Sequence, residues 1–404
     1  GNILTVFQLR RFLHDHVTVR NGNSFIHLAY IGYEEINMRV LFAAAGTAGH
    51  VNPAIAIAQI IKERYPESDF LFLVTPGGME RQLIEKAGYR TATVEVRGIQ
   101  RKLTRANLRA IRLFFSAGRR VRGIIGEWHP DLIVGTGGYM SYPAVSAGKK
   151  AGVPCVLHES NAVPGLAVRL LAKKADLVLG GFRTIGQYLP RKCNFHYVGT
   201  PVRSEFQHIS RYAARAALGV HDGDFLIVSV GGSLGAQQLN RIVISSFCEL
   251  SKGRNHYRMI LSTGKRFYDE EVEQQKRNGV SPAGLTLVPY IDDMANALTA
   301  ADLVISRGGA ATITELAVAA APAIIVPYPG ATDDHQTKNA RALEEIGACV
   351  VMPESELTPE RLTRAIVALS ESPEQLRRMR GKSRDSQPKN RDSALMQCIE
   401  SVMR

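Results

Sequence analysis

Cysteine and tryptophan are scarce, five and one among 404 residues. Cys155, Cys193, Cys248, Cys349 and Cys398 are odd in number, widely spaced and form no CxxC pair. That argues against a disulfide framework and a thiolate zinc site, and it fits a reducing, cytoplasmic compartment. Long apolar runs are missing as well. Stretches such as Ala317 to Pro327 and Pro154 to Leu157 fall short of the roughly 20 residues that cross a bilayer, so no transmembrane helix is expected. Acidic residues are absent between Arg97 and Arg122, where nine basic residues are interleaved with Leu103, Leu108, Ile111, Leu113, Phe114 and Phe115. Such a basic, apolar helix suits peripheral attachment to anionic lipid; the alternative is an amphipathic helix with a solvated basic face.

What the chain does have is bulk and positive charge. Single cores stop growing at roughly 250–300 residues, so 404 residues with 45% hydrophobic content make two α/β domains. The formal net charge of +13 favours anionic partners: nucleic acid, acidic headgroups or a phosphorylated substrate. The charge has no aromatic stacking platform beside it, which disfavours nucleic acid. Residues 1–37 lack the apolar core of a secretory signal, and Met38-Arg-Val-Leu-Phe has the form of a chain start. An upstream extension is therefore expected at 1–37, with an extra strand or helix as the alternative.

From Met38 onward strands and helices alternate as in a doubly wound parallel sheet. The expected strands are Val40–Ala44, Phe70–Val74, Thr91–Val96, Leu132–Val134, Cys155–His158 and Leu177–Leu179. After a Gly- and Pro-containing linker at Tyr197 to Arg203, a second set is expected at Phe225–Val230, Tyr257–Ser262, Leu285–Pro289, Leu303–Ile305, Ala323–Val326 and Cys349–Met352. The expected division is an N-terminal domain over 38–200, a C-terminal domain over 201–372, and a polar helical segment over 373–404 packing back on the first.

Four glycine-rich turns each follow an apolar run: Gly46-Thr-Ala-Gly-His50, Gly135-Thr-Gly-Gly-Tyr139, Gly231-Gly-Ser-Leu-Gly-Ala236 and Ser306-Arg-Gly-Gly-Ala-Ala-Thr312. At a strand-to-helix corner such turns expose backbone N–H groups that attract phosphate. None carries the Lys-Ser/Thr of a Walker loop or the full GxGxxG spacing. His50, at the mouth of the first turn, has the chemistry to take a proton from a hydroxyl nucleophile, although a capping histidine is the common alternative. Gly137, Gly138 and Tyr139 suit a pyrophosphate or simply a tight turn. His158, Glu159 and Asn161 close an apolar strand, where Asn161 meets sugar or amide groups or caps a helix. Glu315, one turn into a helix, suits a ribose diol, or equally the helix dipole alone. The polar stretch with Asp334, His335, Gln336 and Asn339 suits sugar hydroxyls or an ordinary solvated helix start.

Taken in order, GTAGH, DLIVGTGGYMSYP, HESNAVPG, VGTPVR, VSVGGSLGAQQLN, PYIDDM, ISRGGAATITELA and PYPGATDDHQTKNA closely resemble the MurG family of N-acetylglucosaminyltransferases, from Met38 to the C-terminus. The resemblance implies a GT-B fold, two Rossmann-like domains facing across a cleft. It further implies transfer of N-acetylglucosamine from UDP-N-acetylglucosamine to the muramyl C4 hydroxyl of lipid I, with inversion, giving lipid II at the cytoplasmic face of the membrane. By position, it assigns His50 as the base. Thr47, Ala48, Gly49 and Asn161 would meet the donor sugar and pyrophosphate, with Arg203 and Ser233 on phosphate. The backbone of Ile291 would read uracil, Ala310, Ala311, Thr312 and Glu315 would line nucleotide and ribose, and Gln336 and Asn339 would bind sugar hydroxyls. It assigns no tightly bound cofactor and no metal ligand. A GT-B transferase or epimerase using another UDP-sugar is the alternative. Ala48, Ser160, Leu234 and His335 depart from the family's usual Gly, Gln, Gln and Gln, and Ala48 adds a methyl where backbone meets ligand.

Overall fold

The structure, a computed structural model, describes residues 15–21, 24–30, 37–96, 105–206, 209–232, 235–253, 255–277, 282–388 and 390–403. A hairpin comes first: β1 (Asp15–Asn21) pairs antiparallel with β2 (Ser24–Tyr30) in a sheet of its own. The sequence reading had not drawn this pairing.

From Arg39 the chain alternates as expected. It runs through β3 (Arg39–Ala43), α1 (Ala48–Arg64), β4 (Asp69–Val74), α2 (Met79–Lys86), β5 (Arg90–Thr93) and α3 (Arg105–Trp128). It continues with β6 (Leu132–Gly135), α4 (Ser141–Lys150), β7 (Cys155–Glu159), α5 (Leu166–Leu171), β8 (Leu177–Gly180) and β9 (Phe195–Tyr197). All pairings are parallel, in the order β5-β4-β3-β6-β7-β8-β9. Two details differ from expectation. The β5 strand stops at Thr93 although Val94 and Val96 are buried, and Tyr197 belongs to β9, so the linker starts one residue later.

The second half repeats the plan with α6 (Arg211–Ala217), β10 (Phe225–Val230), α7 (Gln237–Leu250), β11 (Tyr257–Ser262), α8 (Tyr268–Arg277) and β12 (Leu285–Val288). There follow α9 (Met294–Ala300), β13 (Leu303–Ser306), α10 (Ala310–Val318), β14 (Ala323–Ile325), α11 (His335–Glu345) and β15 (Cys349–Val351). Its strands lie in the order β12-β11-β10-β13-β14-β15, again parallel. The helices α12 (Pro359–Ser370), α13 (Pro373–Asp385) and α14 (Arg391–Val402) close the chain.

Period-two alternation explains the layers. In β3, Val40 and Phe42 face one core while Leu41 and Ala43 face the core on the other side of the sheet, and all four are wholly buried. Phe42 stacks on Phe72 of the neighbouring strand at 4.6 Å between ring centres. Residues Leu395, Met396 and Ile399 of α14 join the Val40 and Phe42 core, so the end of the chain is built into the first sheet. A hydrogen bond of 2.6 Å from Tyr65 Oη to Glu400 Oε1 secures that docking at the surface.

Each sheet reverses its winding once, between β3 and β6 in the first and between β10 and β13 in the second. In open α/β sheets ligands collect at the carboxyl ends of the strands on either side of that reversal. The four glycine turns follow β3, β6, β10 and β13, which places all of them at the two switch points.

Candidate functional site

The first switch point is organised around His50. Its Nδ1 lies 3.0 Å from the Thr136 carbonyl oxygen, and Thr136 Oγ1 donates to the His50 carbonyl at 2.7 Å. A carbonyl only accepts, so Nδ1 carries the proton and Nε2 keeps a lone pair, the tautomer a general base requires. Burial holds the imidazole below its ordinary pKa; Glu159 and the Thr136 carbonyl oppose that, and His335 adds to it. The ring is therefore neutral at physiological pH and available to receive a proton.

Two glycines leave room for that ring. Gly137 has φ +101° and a Cβ there would lie 2.7 Å from His50 Nδ1; Gly138 has φ +72° and its Cβ would lie 2.5 Å from the Ala45 carbonyl. Behind them, Ser141 Oγ donates to Gly137 O at 2.7 Å and accepts from Gly137 N at 3.2 Å. Tyr139 packs against Gly46, which has φ +110°, so the two turns interlock across the switch point. Thr47, Ala48 and Gly49 open α1, and Thr47 at the N-cap makes no side-chain cap. The first N–H groups of that helix are thus left without a capping side chain.

On the next strand Glu159 is almost wholly buried and shapes the loop that follows. Its Oε1 accepts from Asn161 N and Nδ2, both at 2.9 Å, and Oε2 accepts from Gly165 N at 2.8 Å. His158 is buried too, with Nε2 donating to Gly199 O at 3.2 Å, and burial pushes its pKa down to about 4. It is a neutral structural histidine that ties β7 to the interdomain linker.

The second domain meets this loop through α11. Asn339, with no exposed surface, accepts from Ala162 N at 2.8 Å and donates to Asn161 Oδ1 at 3.2 Å and Gly308 O at 3.1 Å. One amide thereby bridges both domains. Gln336 Oε1 accepts from Gly308 N at 3.1 Å and Tyr328 N at 3.0 Å, which fixes the amide and turns Nε2 away from those partners. Gly308 is required there, since a Cβ would lie 2.3 Å from the Gln336 carbonyl.

Ala310, Ala311 and Thr312 form the first turn of α10, whose N-cap Gly309 makes no side-chain cap. Glu315 follows in a narrow interdomain crevice lined by Asn52, Pro53, Thr200, Arg203, Ala311 and Thr314, with about 10 Å³ of free volume, one water's worth. Burial pushes the Glu315 carboxyl up to about 7; Arg203 draws it down and Glu205 raises it. Thr200 Oγ1 and Arg203 Nε are both buried there and have no hydrogen-bond partner among the described residues. Ile291 is buried in the second core, which leaves its main chain to act. Ser233, like most of the basic stretch 97–122, lies outside the residues whose side chains are described. Among the described residues no cluster of metal-ligating side chains forms and no helix is long and apolar enough to cross a membrane.

Two glycine-turn switch points, joined by an amide bridge, form one interdomain site, and comparison with known proteins agrees with that arrangement. Residues 40–179 match the glycosyltransferase family 28 N-terminal domain, and residues 226–395 match the family 28 C-terminal domain. The chain belongs to glycosyltransferase family 28. Among its relatives, the UDP-N-acetylglucosamine--N-acetylmuramyl-(pentapeptide) pyrophosphoryl-undecaprenol N-acetylglucosamine transferase of Acetivibrio thermocellus is 36% identical, over 91% of this chain and 99% of that protein. The enzyme of the same name from Desulforudis audaxviator is 38% identical, over 89% and 97%. The crystal structure of Acinetobacter baumannii MurG superposes with a TM-score of 0.70 at 29% identity, covering 90% of this chain and 99% of that one. The family 28 fold is thus GT-B: two parallel-sheet α/β domains, here of seven and six strands among the described residues.

Sequence reasoning singled out His50, Asn161, Glu315, Gln336 and Asn339, and the structure gathers them at the interdomain gap. It had not marked Thr136 as the group that sets the His50 tautomer. The signal was the β6 turn itself, since a histidine at one switch-point strand needs an acceptor from the other.

Proposed function

We propose that this chain moves N-acetylglucosamine from UDP-N-acetylglucosamine to the muramyl C4 hydroxyl of lipid I, producing lipid II for peptidoglycan. The observation that carries the reading is His50: a neutral imidazole with its Nδ1 proton committed to Thr136 and its Nε2 open, on the domain facing the nucleotide fold. The acceptor oxygen attacks the anomeric carbon, the bond from that carbon to the diphosphate oxygen breaks, and the hydroxyl proton passes to His50 Nε2. Attack opposite the leaving group inverts the anomeric centre.

The departing diphosphate needs positive potential, which Arg203, Ser233 and the helix starts at Thr47 to Gly49 and Ala310 to Thr312 supply. Glu315 takes the ribose hydroxyls, the Ile291 main chain the base, and Gln336 with Asn161 the sugar; Asn339, expected from the sequence to bind sugar hydroxyls, is instead wholly buried with both amide protons given to Asn161 and Gly308, and holds the loop that borders the sugar. Gly137, Gly138 and Tyr139 border the acceptor pyrophosphate as well as seating His50. The lipid acceptor requires a membrane surface, and the basic segment between Arg97 and Arg122 meets the anionic headgroups of the cytoplasmic leaflet. We assign acceptor and membrane contacts to 38–200, the donor to 201–372, and the return to the first domain to 373–404.

Transfer of labelled sugar from UDP-N-acetylglucosamine to a lipid I analogue tests the reading directly. His50→Ala is expected to lower kcat by roughly 10²–10⁴ while UDP binding, measured by calorimetry, stays within about twofold. Near-normal turnover in that variant removes His50 from the chemistry.

A further inference from the structure

Gly308, in the turn after β13, is held by both of its main-chain groups. Its N–H donates to Gln336 Oε1 at 3.1 Å and its carbonyl accepts from Asn339 Nδ2 at 3.1 Å, two side chains three residues apart on α11. Turn and helix have no slack between them, because a Cβ on Gly308 would lie 2.3 Å from the Gln336 carbonyl oxygen. A shift of the turn therefore moves the start of α11 with it. The same Asn339 grips the first domain: Oδ1 accepts from Ala162 N at 2.8 Å, and Nδ2 gives its second proton to Asn161 Oδ1 at 3.2 Å. The direction of each bond is fixed from its ends, since the Ala162 N–H only donates and the Gly308 carbonyl only accepts. Asn161 is anchored in turn, its Nδ2 donating to Glu159 Oε1 at 2.9 Å, and Thr184 Oγ1 donates to the Ala162 carbonyl at 3.2 Å. Asn339 has no exposed surface and Glu159 only 3%. A buried polar chain thus runs from the nucleotide-fold turn of one domain to the loop after β7 of the other, where an unpaired member is costly.

We propose that Asn339 is a positioning residue that couples the two halves of the site: a nucleoside diphosphate seated on the β13 turn steadies the loop 159–165 of the opposite domain, through Gly308, α11 and Asn339. This rests on the reading of that turn as a diphosphate site. Diphosphate oxygens held by the N–H groups of the turn and of the α10 start restrict the turn, and the saturated Asn339 amide passes the restriction across the gap. Asn161, at the centre of the loop, is thereby held in place when the donor is present. The role differs from that of a sugar ligand, because Asn339 has no amide proton left to give a hydroxyl.

Hydrogen exchange of the segment 159–165 in the full chain, with and without UDP, is the test. UDP is expected to slow exchange roughly tenfold in the wild type and to leave it unchanged in N339L and N339D, a factor on the scale of one buried hydrogen bond. N339D keeps the shape and the acceptor for Ala162 N but sets an oxygen against Asn161 Oδ1 and the Gly308 carbonyl, so it breaks the chain without opening a cavity. UDP affinity by calorimetry should stay within about twofold in both variants, which shows that the second domain remains folded. Equal slowing in the variants, or none in a wild type that binds UDP, overturns the proposal. In the sugar-transfer assay kcat is expected to fall roughly tenfold in both variants with KM for UDP-N-acetylglucosamine little changed. A raised KM at unchanged kcat makes Asn339 a sugar ligand and likewise overturns it. Failure of the wild type to bind UDP defeats the diphosphate reading of the turn, and with it the coupling. The ligand-free comparison, in which both variants exchange faster than the wild type over 159–165, tells that failure apart from absence of the Asn339 bridge itself.

Discussion

Gly137 shows how one residue type carries the site. A histidine after the first turn was legible as a base, and the glycines after β6 were legible as a flexible corner. That the two belong together was not legible, because 86 residues separate His50 from Thr136. Gly137→Ala forces a Cβ to within 2.7 Å of His50 Nδ1 at φ +101°, a backbone region that L side chains rarely adopt. The ring must move. A displacement of about 1 Å at a reacting group costs roughly 10² in rate, so kcat in the sugar-transfer assay is expected to fall by about that factor. Nucleotide binding in the second domain should change little. The same contrast separates His50 from His158. Both are histidines beside strand ends, yet His158 is sealed against Gly199 with its pKa at about 4, which marks it as structural. Burial lowers both, and what tells them apart is tertiary: His158 has no exposed surface and bonds the linker through Nε2, whereas His50 is only half-buried and bonds Thr136 through Nδ1.

At the scale of elements, eleven strands of the doubly wound halves fall where apolar runs placed them, within a residue or two. The exception, β5, was read three residues too long at its end: the strand stops at Thr93, Val94 adds one last N–H bond to the Val74 carbonyl at 2.9 Å, and Val96 is buried in the core beside α3 without continuing the strand. Burial and pairing are different properties, and periodicity reports only the first. The short β9 was missed because a three-residue edge strand carries little hydrophobic signal, and the β1–β2 hairpin because residues 1–37 were read as an upstream extension. The helix α14 makes the clearest energetic case. Leu395 is wholly buried among residues of β3 and α1, more than 330 positions earlier in the chain. Leu395→Ala is expected to cost about 2–5 kcal/mol in urea unfolding, and to destabilise the first domain although the residue lies beyond the second. An effect below about 1 kcal/mol would mean that α14 docks loosely.

For the whole molecule, the decisive feature is that two sheets with the same strand order present their switch points to each other. The crevice at Glu315 lies between them, and under the proposed ribose contact it would tie nucleotide binding to pH. The carboxyl, ordinarily near 4.5, is raised to about 7 by burial, so the unliganded fold is favoured below the carboxylate range and loses that contribution as pH rises through 7. In the proposed complex, ribose hydroxyls donating to the carboxylate would reverse this preference. UDP affinity by calorimetry is therefore expected to rise roughly tenfold between pH 6 and 8, since only the ionised carboxylate accepts both hydroxyls. Glu315→Gln should remove that dependence, leaving only the nucleotide's own titration. A wild-type curve that matches the variant at every pH takes Glu315 out of the ribose contact.

The amino-acid order alone determined the two-domain plan, the strands, the four glycine turns and the family, because these depend on local periodicity and on motifs read along the chain. Which groups meet was decided only in three dimensions: Thr136 with His50, Asn339 with Asn161 and Ala162, Glu315 with Arg203. Proton positions, burial and charge coupling arise from contacts between segments tens to hundreds of residues apart, and such contacts exist only once both sheets have wound and docked.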